Sequence, residues 1–183
     1  MRLFIAVNFD NETKQRILAV QNCIRKEVEK GKFPPVENLH LTLVFLGETP
    51  KEKIPLIKDA MTRVVSLSGT PAFTLIFSRA GFFKRGRKEL WYLGTVAGAE
   101  EKRLKELRAR LAEELISRKF SMDARPFTTH ITLGREIRGE LWPFTTDGIP
   151  IAVKRISLML SENKRQPSGK TLVVYTELFS VSL

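Results

Sequence analysis

A chain of 183 residues with 43% hydrophobic content can bury a core as one compact unit or as two small lobes sharing a cleft, which excludes a disordered segment. It has no apolar run long enough for a membrane-spanning helix, and its single cysteine, Cys23, excludes an internal disulfide framework and a cysteine-based metal site; a reduced, cytoplasmic setting is the default. The net charge of +11 favours polyanionic partners, nucleic acid or phosphate esters.

The opening Met1-Arg2-Leu3-Phe4-Ile5-Ala6-Val7 is basic and then apolar, but Asp10 and Asn11 cut it short. It reads as a first strand, Leu3 to Phe9, and not as a secretion signal. Asp10 or Asn11 caps the helix that follows. Its apolar stripe is Ile17, Val20, Ile24 and Val28, and Gly31 is expected to end it. Cys23, near that stripe, reads as a packed, inert thiol. Pro34-Pro35 keep the chain extended into a strand from Leu39 to Leu46 that ends at Gly47. Thr49-Pro50 opens a second helix with Ile54, Ile57 and Met61 on one side and Pro55 in its first turns. Pro71 to Phe77 and Glu89 to Val96 read as hairpin partners. Between them, Gly81-Phe82-Phe83-Lys84-Arg85-Gly86-Arg87-Lys88 reads as a cationic turn, suited to an RNA backbone and a stacked base or to an ordinary solvated hairpin tip.

A second helix carries Leu104, Leu107, Leu111 and Leu115 at the same spacing and ends at Lys119-Phe120. Arg125-Pro126-Phe127 leads into the strand that begins with His130. Gly139 to Pro150 is a mixed stretch, expected as a loop with Trp142 and Phe144 packed under it. Ile149 to Leu160 and Leu172 to Val181 read as a closing hairpin joined by the basic turn Asn163 to Lys170.

The two histidines open matching phrases, His40-Leu41-Thr42-Leu43 and His130-Ile131-Thr132-Leu133. On a strand, His and Thr then share one face and the aliphatic residues the other. The phrases also sit in a longer correspondence. Leu3-Phe4-Ile5, the stripe from Ile17 to Val28, and Lys32-Phe33 each recur 87 positions later, and the histidines are 90 apart. This order points to an internal strand–helix–strand repeat, units about 2–48 and 89–136 of a single domain with two intertwined lobes. Two repeats related by a pseudo-two-fold axis would bring both His-x-Thr faces to one cleft. Two histidines without a nearby Cys, Asp or Glu set fall short of a zinc site, so acid–base chemistry at a phosphate is preferred and no metal is expected.

At these residues the chain resembles the 2H phosphoesterases, and within them the RNA 2′,3′-cyclic phosphodiesterases, also described as 2′-5′ RNA ligases. The resemblance is carried by Arg2-Leu3-Phe4-Ile5-Ala6-Val7, by His40-Leu41-Thr42-Leu43-Val44-Phe45-Leu46-Gly47 and by Arg125-Pro126-Phe127-Thr128-Thr129-His130-Ile131-Thr132-Leu133-Gly134-Arg135. Ser161, Gly169 and Tyr175 are a looser match. It implies a bilobal α+β fold, with antiparallel sheets lining a central cleft and helices outside.

The resemblance also implies hydrolysis of RNA 2′,3′-cyclic phosphate ends to a 2′-phosphate, reversible as 2′-5′ ligation. His40 would be the general acid and His130 the general base. Thr42, Thr132 and Arg135 would bind the phosphate, with no cofactor. The expected partner is RNA with a cyclic phosphate end, such as a tRNA fragment, bound by a monomer away from membranes. The rival readings are action on small cyclic nucleotides or an ADP-ribose cyclic phosphate, and a non-catalytic RNA-binding module. The basic stretches Lys84 to Lys88 and Lys164 to Lys170 weigh toward a longer polyanion.

Overall fold

The fold is seen in a computed structural model that describes every residue except Arg87, Asp123, Ala124, Ser168 and Lys170, and the side chain of Arg85. Among the described residues there are nine strands and three α-helices. In chain order they are β1 (Arg2–Asn8), α1 (Asn11–Glu27), β2 (Lys30–Lys32), β3 (His40–Glu48), α2 (Ile54–Ser68), β4 (Phe73–Arg85), β5 (Lys88–Thr95), α3 (Ala99–Ser117), β6 (His130–Arg138), β7 (Phe144–Val153), β8 (Arg155–Arg165) and β9 (Thr171–Ser182).

The strands form one antiparallel sheet in the order β7-β4-β5-β6-β3-β1-β8-β9, with β2 added beside β6. The order is mirrored about the β3–β6 contact, where Leu41 lies opposite Ile131. β1-α1-β3 on one side and β5-α3-β6 on the other follow the same strand–helix–strand order. The α+β class and the antiparallel pairing agree with expectation; the two sheets expected around a cleft are hydrogen-bonded into one.

Alternation explains which face is which. Leu3, Ile5 and Val7 of β1, Leu41 and Leu43 of β3, and Ile131 and Leu133 of β6 join the core with Ile17, Ile57, Leu104 and Leu111 of the helices. Both predicted stripes are buried, except that Val28 caps α1 in an extended conformation and packs from outside the helix. The opposite face of β1 carries Phe4 and Ala6, which cluster with Met159 and Tyr175. Asp10 caps α1 by accepting a 2.8 Å hydrogen bond from the Thr13 amide. Gln21, fully buried, ties α1 to the carbonyls of Pro34 and Leu133 at 3.0 and 2.9 Å and so fixes the helix against β6.

Several expectations are corrected. Gly31 does not end α1; it lies in β2, where an added Cβ would meet the end of the Ile137 side chain and the Phe33 ring. Cys23 is exposed, because it sits on the outer side of α1. Gly81 to Arg85 is no loop: β4 continues through it because Phe82 and Phe83 find partners in Trp91 and Tyr92 of β5. Of the predicted turn, Arg87 lies outside the described residues. The stretch expected as a loop after Gly139 contains most of β7, which pairs with β4 and leaves Trp142 82% exposed. Ile149 to Leu160 is not one hairpin arm: it divides at Lys154 between β7 and β8, on opposite halves of the sheet. Asn163 to Arg165 extend β8 toward the expected basic turn, in which Ser168 and Lys170 lie outside the described residues.

Candidate active site

The burial alternation is the same at the start of β3 and β6: His40 and Thr42, like His130 and Thr132, are half-buried, while Leu41, Leu43, Ile131 and Leu133 are buried. Because Leu41 faces Ile131 and both point into the core, the residues flanking them project from the opposite, open face. The pairing of the central strands therefore brings both His-x-Thr phrases to one surface.

Each imidazole is anchored at the same atom. His40 Nδ1 is 2.7 Å from the Asn38 carbonyl, and His130 Nδ1 is 2.7 Å from the Thr128 carbonyl. A carbonyl only accepts, so each Nδ1 carries the proton and each neutral ring keeps its lone pair on Nε2. At His40 that lone pair meets the Thr42 hydroxyl at 2.9 Å. Asn38 is itself held, donating from Nδ2 to the Val173 carbonyl at 2.7 Å.

Aromatic rings flank both histidines. Phe4 lies 4.9 Å from the His40 ring and Tyr175 5.2 Å from it, edge-on. Phe83 and Tyr92 stand edge-on to His130 at 5.6 and 5.9 Å and stack on each other at 4.4 Å. Tyr92 lies over two glycines: a Cβ on Gly81 would come 3.1 Å from its hydroxyl, and one on Gly94 3.2 Å from its ring. Sequence reasoning missed Tyr92. The sequence around it shows only Gly94 two residues on; its places opposite Gly81 and opposite Thr132 are set by strand pairing.

Arg135 is exposed, yet its charge acts on both imidazoles and on the Tyr175 phenol. The strand is distorted where it sits. Between the pairs Trp91–Gly134 and Glu89–Ile137, β6 carries one more residue than β5, and Glu136 adopts a left-handed φ of 53°. Such bulges re-aim side chains. Lys32 and Lys88 grip the Glu136 carboxylate from both sides at 2.6 and 2.7 Å. Their hydrogen bonds hold that carboxyl down to about 2.

Burial is the main cause that pushes His40 down to about 4. The Asn38 carbonyl opposes it, and the charges of Arg135, Lys14 and His130 add to it. His130 is also lowered, chiefly by burial and then by Arg135, against the opposing Thr128 carbonyl. Burial raises Tyr175, with Arg135 and Arg2 pulling the other way. At neutral pH both imidazoles are thus neutral bases, near the Arg135 charge: an arrangement that accepts protons and attracts an anion.

Residues 7–92 match the family described as LigT like Phosphoesterase. An RNA 2′,3′-cyclic phosphodiesterase of Geobacillus stearothermophilus is 31% identical over 94% of this chain, which spans 56% of that relative's length. One of Thermotoga maritima is 34% identical, over 74% of this chain and 70% of its own. The crystal structure of Escherichia coli LigT complexed with 3′-AMP superposes with a TM-score of 0.79 at 29% identity, covering 100% of this chain and 97% of that one. The chain therefore belongs to the LigT-like phosphoesterases, the 2H enzyme family whose curated relatives of this chain carry the name RNA 2′,3′-cyclic phosphodiesterase.

Proposed function

We propose that this protein hydrolyses RNA 2′,3′-cyclic phosphate ends to 2′-phosphates with His40 and His130 as its acid–base pair. The observation that carries the reading is the shared open face of the two His-x-Thr phrases, each imidazole held through Nδ1 so that Nε2 carries the lone pair. The names of the curated relatives and the 3′-AMP bound to E. coli LigT support an RNA terminus as ligand.

Water attacks phosphorus in line with the bond to the ribose 3′-oxygen. The base takes the water proton, the new P–O bond forms, the P–O3′ bond breaks, and the acid protonates the departing 3′-oxygen. Thr42, Thr132 and Arg135 stabilise charge on the non-bridging oxygens. His40 as acid and His130 as base follows the family resemblance. It requires the bound phosphate anion to raise His40 from about 4, as a nearby negative charge does. Run in reverse, with a 5′-hydroxyl in place of water, the same groups make a 2′-5′ linkage. The mirrored sheet order and the recurring spacing support a single domain of two duplicated units, 2–48 and 89–136.

The test is turnover of a short RNA ending in a 2′,3′-cyclic phosphate, with EDTA present. Formation of a 2′-phosphate is expected from the wild type and not from His40→Ala or His130→Ala. Binding without turnover by the wild type would favour an RNA-binding module.

A further inference from the structure

The open face does not end at the histidines. Phe4 bridges from His40 to Phe45, whose ring lies 6.0 Å from it and is 51% exposed. Tyr175 packs edge-on against Phe4 at 4.9 Å. Two residues before Phe4 on the same face of β1, roughly 7 Å along the strand, is Arg2, exposed. Arg2 lies opposite Ser161, which in turn lies opposite Tyr175, so the three side chains share that face. Past Arg2 opens a cavity of about 340 Å³ whose lining includes Arg2, Glu48, Ser161 and Asn163. An aromatic platform, a cation and a polar recess thus lie in sequence, leading away from the acid–base pair.

This is the chemistry that holds single-stranded nucleic acid: a ring for a base to stack on and a positive charge for the backbone. A mononucleotide in the histidine site has no phosphate to reach Arg2; an RNA chain has one. The cavity is lined by both signs of charge, Arg2 and Met1 with the Glu48 and Glu162 carboxylates, the Met1 ammonium lying 3.3 Å from Glu48, and a carboxylate there can accept from the exocyclic amino group of a base. A protein of net charge +11 adds long-range attraction for such a chain.

We propose that the face from His40 to Arg2 is a track for the RNA chain 5′ of the cyclic end, with a base stacked on Phe45 and a backbone phosphate held by Arg2. The proposal rests on the reading of the His40–His130 site given above, and it makes an oligonucleotide the preferred substrate class over a cyclic mononucleotide.

The experiment compares kcat/KM for adenosine 2′,3′-cyclic monophosphate and for a trinucleotide ending in adenosine 2′,3′-cyclic phosphate. The wild type is expected to favour the trinucleotide by about 10- to 100-fold, the range of one stacked base. Phe45→Ala and Arg2→Gln should each shrink that ratio by about 5-fold or more. Both positions are surface-exposed, and a thermal melt confirms folding. An equal response to the two substrates in the wild type, or an unchanged ratio in both variants, overturns the track.

Direct binding separates this failure from failure of the activity itself. A fluorescent trinucleotide with a 2′-phosphate end should bind less tightly to both variants than to the wild type. Such weakening with no turnover of either substrate would sink the hydrolase reading and leave the track standing; unchanged binding removes the track.

Discussion

Leu41 lies opposite Ile131 at the seam between the two halves of the sheet, and this one register sets His40 and His130 on the same open face. A slip of one residue in either strand would turn one histidine into the core. Both seam residues are fully buried. Leu41→Ala should cost about 2–5 kcal/mol, and Ile131→Val about 0.5–1.5 kcal/mol, in denaturant unfolding. Because the seam also sets the spacing of the histidines, Leu41→Ala should lower turnover at temperatures where the protein is still folded. Full activity in the folded variant would show that the seam supports stability alone.

The two histidines and two threonines should separate by magnitude. His40→Ala and His130→Ala are expected to abolish opening of the cyclic phosphate. Thr42→Ala and Thr132→Ala remove one donor each and should cost about 10- to 1000-fold in kcat. Single-turnover assays with folded variants check this; near-normal turnover by either histidine variant would contradict a paired mechanism.

Acid should weaken the fold through His40. Its folded pKa is depressed to about 4 while the unfolded chain protonates near the ordinary 6.5, so the unfolded state binds the proton first. The stabilisation is complete above about pH 6.5 and is lost as pH falls toward about 4. The shift sets an upper limit of about 3 kcal/mol, discounted because the ring keeps some contact with water. Denaturant unfolding at pH 7.5, 6 and 5 should show a shallower decline in His40→Gln than in the wild type. Parallel declines would mean that His40 protonates freely in the folded protein.

Glu136 should act through Arg135. Its carboxylate fastens the bulge to Lys32 and Lys88, and Arg135 projects from that bulge. The two ion pairs are exposed and screened by water, so Glu136→Gln is expected to raise KM only a few-fold, with a smaller effect on kcat. Lys88→Ala should move KM the same way. Glu136→Gly, which accepts the left-handed φ without strain, tests whether the fastening matters apart from the backbone conformation. Unchanged KM in all three would leave Arg135 positioned by other contacts.

Much of this protein could be read from its residues because local physics decides it. The stripes of α1 and α3, the cap at Asp10 and the alternation in β1, β3 and β6 follow from periods of 3.6 and 2, which sequence records directly. So do the two His-x-Thr phrases and the recurring spacing around them.

What the residues could not reveal depends on partners distant in the chain. Phe82 and Phe83 looked like a turn until β5 supplied Trp91 and Tyr92 to pack against. Ile149 to Leu160 looked continuous, yet its halves pair with β4 and β1. The tautomer of each histidine is set by a backbone carbonyl two residues before it, which becomes an acceptor only in the folded chain geometry. The sequence by itself determined the histidine pair and the faces that carry it, because side-chain alternation is local. Only the tertiary structure decided that Leu41 meets Ile131, that Tyr92 lies over Gly81 and Gly94, and that the face beyond His40 leads to Arg2, because strand register is a long-range choice made by packing.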